Sequence, residues 1–235
     1  MSLYDRNYRN ETLRAEEFGG VQRDEASIRS FVKQTYQLFA ASMLAGTVGA
    51  YVGMGMASTI ASFYWGLVIL EIALIFGLNF VKDKPGIALG VLFAFTFITG
   101  LTITPLLTSI LSMPGGAGIV ANAFLMTSVA FGALTLFAMS TSRDFTVMGK
   151  MLFIALIILI VGGIANIFLG SPLLQLAIAG VGAVLFSFFI LYDTQNIIRG
   201  NYDSPVLAAS ALYLDFLNLF ISLLQILGIF NSSEE

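Results

Sequence analysis

Long apolar runs alternate with short polar turns from residue 32 to residue 228. A run of about 20 apolar residues is long enough to cross about 30 Å of hydrocarbon as a helix. Seven runs meet this length: residues 32–52, 60–80, 87–108, 117–140, 148–169, 173–197 and 206–228. The pattern predicts an all-α integral membrane protein, a bundle of seven transmembrane helices.

The turns between the runs carry signals for helix starts and ends. Pro85, Pro172 and Pro205 follow polar residues at the starts of the third, sixth and seventh runs, with Ser204 as the expected N-cap. Pro105 predicts a kink in the third helix, and Gly228 is expected to close the seventh. Aromatic residues near the run ends are interpreted as an interfacial belt: Tyr51, Tyr64, Trp65 and Tyr202. Several glycines within or at the edge of the runs are interpreted as positions of close helix packing: Gly49, Gly53, Gly86, Gly90, Gly162, Gly163, Gly180 and Gly182.

The positive charges indicate an orientation. With seven spans and a cytoplasmic N-terminus, every lysine and arginine falls on the cytoplasmic side. We therefore expect a multi-pass membrane protein with its N-terminus in the cytoplasm and its C-terminus outside. The chain divides into a polar cytoplasmic tail (1–30), a seven-helix transmembrane domain (31–230) and a short C-terminal tail (231–235).

Composition supports a membrane protein and narrows its chemistry. The chain is 57% hydrophobic and 11% charged, whereas a soluble domain is about 45–50% apolar and about 25% charged. It contains no cysteine and no histidine, which removes thiol catalysis, Cys/His zinc sites, haem ligation and the usual serine triad. We expect no enzymatic activity, no cofactor and no nucleic-acid partner, and the oligomeric state is left open.

Two carboxylates interrupt the last two apolar runs, Asp193 in the sixth and Asp215 in the seventh. An ionised carboxylate inside a membrane span costs free energy unless it has a partner, so these acids are candidates for function. Small and polar residues form one stripe along the seventh helix at spacings of three and four: Ala208, Ala211, Asp215, Asn218, Ser222 and Gln225. This stripe is expected to face protein or water, so the last helix is either central or the wall of a cavity.

Both acids lie in the cytoplasmic half and a short turn joins their helices, so we expect them to approach each other. Two nearby carboxylates in a low dielectric cannot both ionise cheaply, and one shared proton would make the pair a pH-sensitive gate. The same oxygens suit a calcium ion, which takes six to eight oxygen ligands. Asn218, Ser222 and Tyr192 are the candidate supporting residues. Glu71 is a third intramembrane acid, for which structural and functional roles are left open.

The segment LYDTQNIIRGNYDSPVLAASALYLDFLNLFISLLQILG resembles the signature of the Bax-inhibitor transmembrane (TMBIM) family. The stretches STSRDFTVMGKML and GGIANIFLGSPLLQLAIAG are similar to its bacterial YccA-type branch. The resemblance implies a bacterial inner (plasma) membrane protein with a central last helix. It also implies a calcium leak or pH-dependent cation permeation, with Asp193 and Asp215 as the di-aspartyl pair. Some calcium-leak members carry an arginine in the second helix that contacts this pair, whereas this chain has Glu71 there. YccA-type members also resemble modulators of FtsH-type membrane proteases, which the polar N-terminal tail would contact.

Four interpretations follow. The first is a pH-sensitive cation leak, for calcium or coupled to protons, that is gated by the two acids. Calcium would be the permeant or weakly bound ion. The second is a non-transporting regulator that binds a membrane protease or another membrane partner. The third is an intramembrane aspartyl protease, suggested by Tyr192-Asp193 but opposed by the missing GxGD element around Asp215. In the fourth the acids only hold helices together.

Overall fold

The computed structural model describes residues 25–233, which form a bundle of helices with seven spans long and apolar enough to cross a membrane. The predicted all-α seven-helix architecture is confirmed. The helices run as follows: α1 Glu25–Gly55, α2 Ala57–Val81, α3 Pro85–Thr102, α4 Thr104–Leu111, α5 Gly116–Ser140, a 3-10 turn Thr146–Met148, α6 Gly149–Leu169, α7 Pro172–Ile198 and α8 Pro205–Ser233.

The predicted helix starts are confirmed. Pro85 and Pro172 each take a first helical position, and the Ser171 hydroxyl caps α7 by accepting from the Leu174 amide at 3.3 Å. The Ser204 hydroxyl likewise accepts from the amide of Val206 at 3.2 Å at the start of α8. Proline suits these positions because the missing amide would have no partner in the first turn.

Two predicted helix ends are wrong. α1 begins at Glu25, inside the segment expected to be a tail, where an i,i+4 pair of Glu25 and Arg29 (3.5 Å) lies in the first turns. Residues 1–24 of that tail lie outside the described residues. Gly228 does not close the last helix, which continues to Ser233. Gly228 is buried, and a Cβ there would overlap Ile110, so this glycine serves close packing within the helix.

The third span is broken where the sequence predicted a kink. Ile103 separates α3 from α4, and Pro105 lies in the first turn of α4. Threonine hydroxyls bond to carbonyls around the break, as Thr104 Oγ1 does to Gly100 O at 3.2 Å. Such bonds satisfy backbone groups that neither lipid nor the interrupted helix can satisfy.

The last helix is central, as the resemblance implied. α8 packs against α7, α1 and α5, with smaller contacts to α3 and α2. Its buried side chains contribute to all three apolar clusters of the bundle, through Leu212, Ala209 and Leu224. The polar stripe of α8 therefore lies inside the protein.

Close backbone approach joins α1 to the third span. A Cβ at Gly49 would overlap the carbonyl of Phe97, and a Cβ at Gly53 would overlap the Thr104 hydroxyl. Packing roles are thus confirmed for Gly49 and Gly53. The same prediction is wrong for Gly86 and Gly90, where a Cβ would meet no atom within 4 Å.

All lysines and arginines of residues 25–233 lie at one end of the bundle, which we call the basic end. It comprises the start of α1 and the α2–α3, α5–α6 and α7–α8 turns, and its cations are Arg29, Lys33, Lys82, Lys84, Arg143, Lys150 and Arg199. The opposite end, with the α1–α2, α4–α5 and α6–α7 turns, is called the neutral end.

Candidate functional site

Asp193 and Asp215 face each other across the interface of α7 and α8. Both are buried, with 5% and 4% of their surface exposed, and their carboxyl groups are close enough to interact directly. The expected approach of the two acids is therefore found. Oδ2 of Asp215 is buried without a hydrogen-bond partner. Two carboxylates can hydrogen-bond to each other only when one of them carries a proton, so a shared proton would satisfy this oxygen.

Tyr202, in the α7–α8 turn, caps the pair at the basic end. Its hydroxyl donates to Asp193 Oδ1 at 2.7 Å. Burial and the neighbouring Asp193 carboxylate raise the pKa of the Tyr202 hydroxyl, so it remains a donor at neutral pH. The sequence placed this tyrosine in the interfacial belt, because nothing in its local pattern shows that the turn folds back over Asp193.

The pair lies in the wall of a cavity of about 830 Å³ between α2, α6, α7 and α8. Four polar residues of the predicted stripe line it on α8: Asp215, Asn218, Ser222 and Gln225. The opposite wall is apolar and includes Ile72 on α2 and Ile160 and Ile164 on α6, each about half exposed. Since α2 packs chiefly on α3 and α6 on α7, the cavity opens sideways between α2 and α6.

An amide chain closes the neutral-end part of this cavity wall. Asn166 Nδ2 donates to Gln175 Oε1 at 2.9 Å, and Gln175 Nε2 donates to Gln225 Oε1 at 2.9 Å. The chain of hydrogen bonds joins α6, α7 and α8 to one another. Gln175 was missed, because a single glutamine near a helix start gives no signal of its partner.

The cavity could hold a hard cation only loosely. Asp193, Asp215, Asn218 and Ser222 supply side-chain oxygens, whereas calcium takes six to eight oxygen ligands. Water would have to complete the shell, because no group of three or more acidic, histidine or cysteine side chains suited to a metal occurs among residues 25–233. With this donor set, protein oxygens alone fill only part of a calcium coordination shell.

The other candidate residues lie apart from the pair. Glu71 accepts a hydrogen bond from Thr102 Oγ1 at 3.1 Å, beside the break in the third span. The same hydroxyl is 3.0 Å from the carbonyl of Thr99, and one proton cannot serve both acceptors, so a protonated Glu71 would satisfy all three groups. The hydroxyl of Tyr192 lies against Gly149 at the start of α6.

Comparison with known proteins identifies the fold family. The family model described as "Inhibitor of apoptosis-promoting Bax1" matches residues 28–232. A protein of Campylobacter jejuni is 54% identical over 99% of this chain and 100% of its own length. The Golgi anti-apoptotic protein of vaccinia virus (strain Lister) is 38% identical over 68% of this chain and 66% of its own. Protein lifeguard 4 of Mus musculus is 36% identical over the same shares.

Proposed function

The chain belongs to the Bax-inhibitor family of membrane proteins, and from that premise we propose that it lets cations, calcium among them, leak across the bacterial inner membrane under the control of pH. The observation that supports this most is the buried pair of Asp193 and Asp215 in the wall of a large cavity. The proposed activity is transport and not catalysis.

The acid pair would act as the site that selects cations. Stability alone is a weak reason to bury two acids, since interhelical polar bonds in membranes contribute only about 0.6 kcal/mol on average. Burying two carboxyl groups side by side adds a cost that contact between helices does not explain. A carboxylate that faces a cavity can instead replace part of the hydration shell of a passing cation.

The sign of the pH dependence follows from charge. At acidic pH the pair holds a proton and attracts cations weakly; as pH rises, the pair becomes more negative and attracts them more strongly. Calcium entry should therefore slow on acidification. The rest of the α8 stripe would offer polar contacts to the ion or its water between Asn218 and Gln225.

The test is calcium entry into proteoliposomes between about pH 6 and pH 8, followed with an encapsulated indicator. We expect the wild type to conduct more at the higher pH, and Asp193→Asn and Asp215→Asn to lower the rate at least tenfold and to flatten the pH response. Asp83→Asn is the matched control, because Asp83 is an exposed acid in the α2–α3 turn. A silent wild type across this range would refute the leak.

That outcome would favour the second interpretation, a regulator that binds an FtsH-type protease or another membrane partner. A chain lacking residues 1–24 would then lose capture of the partner, whereas under the leak proposal it would still conduct. Removing residues 1–24 and measuring both partner capture and calcium entry therefore distinguishes the two functions.

We also propose that the basic end faces the cytoplasm, which puts the C-terminus outside. The chain has no cysteine, so single reporters can be introduced without background. Ser142→Cys, exposed at the basic end, should resist an impermeant thiol reagent in intact cells, and Ser112→Cys, exposed at the neutral end, should react. The reverse pattern would refute this orientation.

A further inference from the structure

The α7–α8 turn, residues 199–204, is tied to both neighbouring turns of the basic end. On one side, Arg199 Nη1 lies 2.8 Å from Asp144 Oδ2 and donates to Thr146 Oγ1 at 3.1 Å. On the other side, Lys82 forms an ion pair with Asp203. The turn therefore bridges the α5–α6 and α2–α3 turns. In sequence, Tyr202 lies between the two residues of the turn that form these ion pairs, Arg199 and Asp203.

The α5–α6 turn, to which Arg199 binds, is itself fixed to α7. Buried Gln195 on α7 accepts from the Phe145 amide at 2.6 Å and donates to the carbonyl of Arg143 at 2.8 Å. These bonds fix the α5–α6 turn to α7 where Asp144 meets Arg199. The hydrogen bond from Arg199 lowers the pKa of Asp144 to about 2, and bonds from Thr146 act in the same direction, so this carboxylate stays charged under all physiological conditions.

The ion pairs themselves are on the surface. The side chain of Asp203 is 68% exposed, and those of Arg199 and Asp144 are 42% and 45% exposed. Exposed pairs of this kind are individually weak. Each of these two ion pairs can therefore break at little cost in free energy. From the same turn, Tyr202 reaches the buried Asp193.

We propose that residues 199–204 form a cap that closes the basic end of the cavity, with Tyr202 as its plug and the Lys82–Asp203 and Arg199–Asp144 pairs as its fastenings. The cap regulates the site on which the proposed function rests, since an ion that leaves the acid pair toward this end must pass Tyr202. In this chain, whose second span carries no arginine, Tyr202 holds Asp193.

Access to the cavity from the basic end can be measured without any ion flux. Ala211 lines the cavity one turn before Asp215, and Ala211→Cys would be the only thiol in the chain. An impermeant thiol reagent is applied to the basic end in vesicles of known orientation. Ser142→Cys, exposed at the same end, is the control for reagent access and should react fast in every background.

Ala211→Cys should react slowly in the otherwise wild-type chain. Tyr202→Ala and Lys82→Asp should each raise the rate at least tenfold, and the charge swap Lys82→Asp with Asp203→Lys should return it to the slow value. If Tyr202→Ala fails to fold, the charge swap between Lys82 and Asp203 still tests the cap, because both residues lie at the surface. Equal rates in all backgrounds, or a swap that stays fast, would overturn the cap.

The two proposals can fail separately. If Tyr202→Ala and Lys82→Asp accelerate the labelling but no calcium enters, the leak is refuted and the cap stands, because labelling requires only access of the reagent. Calcium entry with labelling that ignores Tyr202 and Lys82 would refute the cap and leave the leak.

Discussion

Replacing Asp215 by asparagine should stabilise the protein while it reduces cation flux. In the wild type, Asp215 Oδ2 is buried without a partner, and a buried acceptor left unpaired costs about 1–3 kcal/mol. Asparagine keeps the shape of the side chain and adds an N–H donor next to the Asp193 carboxylate. A hydrogen bond to a charged group contributes about 1.5–3 kcal/mol, part of which the wild-type pair already obtains when it shares a proton.

The gain should therefore depend on pH. Where the pH is high enough to remove the shared proton, we expect Asp215→Asn to be more stable than the wild type by about 1–2 kcal/mol, and where the wild-type pair holds its proton, almost equally stable. For a chain of this size each kcal/mol raises Tm by about 2–4 °C. Asp193→Asn is the comparison, because it gains the same donor but weakens the bond from Tyr202, so its Tm should change less.

Thermal unfolding in detergent micelles, followed by circular dichroism over a series of pH values, measures this directly. A Tm for Asp215→Asn that lies below the wild-type value, or that equals it at every pH of the series, would refute the claim that Asp215 is held at a cost to stability. A higher Tm together with a lower flux would identify an acid retained for function.

Three further predictions concern residues outside the pair. Gly49→Val should lower Tm by at least 5 °C, roughly 2 kcal/mol, because it separates α1 from α3, whereas Gly86→Val should not change it; equal effects would contradict the packing assigned to Gly49. Glu71→Gln should leave the pH response of flux unchanged, since an amide also donates where a protonated acid would; a flattened response would place Glu71 in the gate. The pKa of Asp144, lowered to about 2 by Arg199, means that stability from this pair persists above the unfolded value of about 3.9 and is lost as pH falls toward 2; carbon NMR of labelled Asp144 should show its midpoint near 2, and a midpoint near 4 would contradict the ion pair.

Sequence alone predicted the features that depend on local pattern. The seven spans follow from hydropathy, and the break near Pro105 follows from the missing amide of proline. The approach of Asp193 and Asp215 was also predictable, because a short turn joins two helices that each carry one acid. These features need no knowledge of the other helices.

The features that sequence missed depend on contacts between distant segments. Tyr202 looks like any aromatic residue near a membrane surface until the turn is seen to fold over Asp193. Lys82 and Asp203 are 121 positions apart, so no local pattern pairs them. Glu71 could have joined the acid pair on sequence grounds, but the break in the third span offers Thr102 to it instead.

The most direct test of the central claim compares calcium entry at pH 8 in vesicles that contain the wild type, the double variant Asp193→Asn/Asp215→Asn, Asp83→Asn or no protein. The leak proposal predicts that the wild type and Asp83→Asn conduct alike and that the double variant falls to the rate of empty vesicles. A double variant that conducts as well as the wild type would contradict the account, because calcium would then cross without the buried carboxylates.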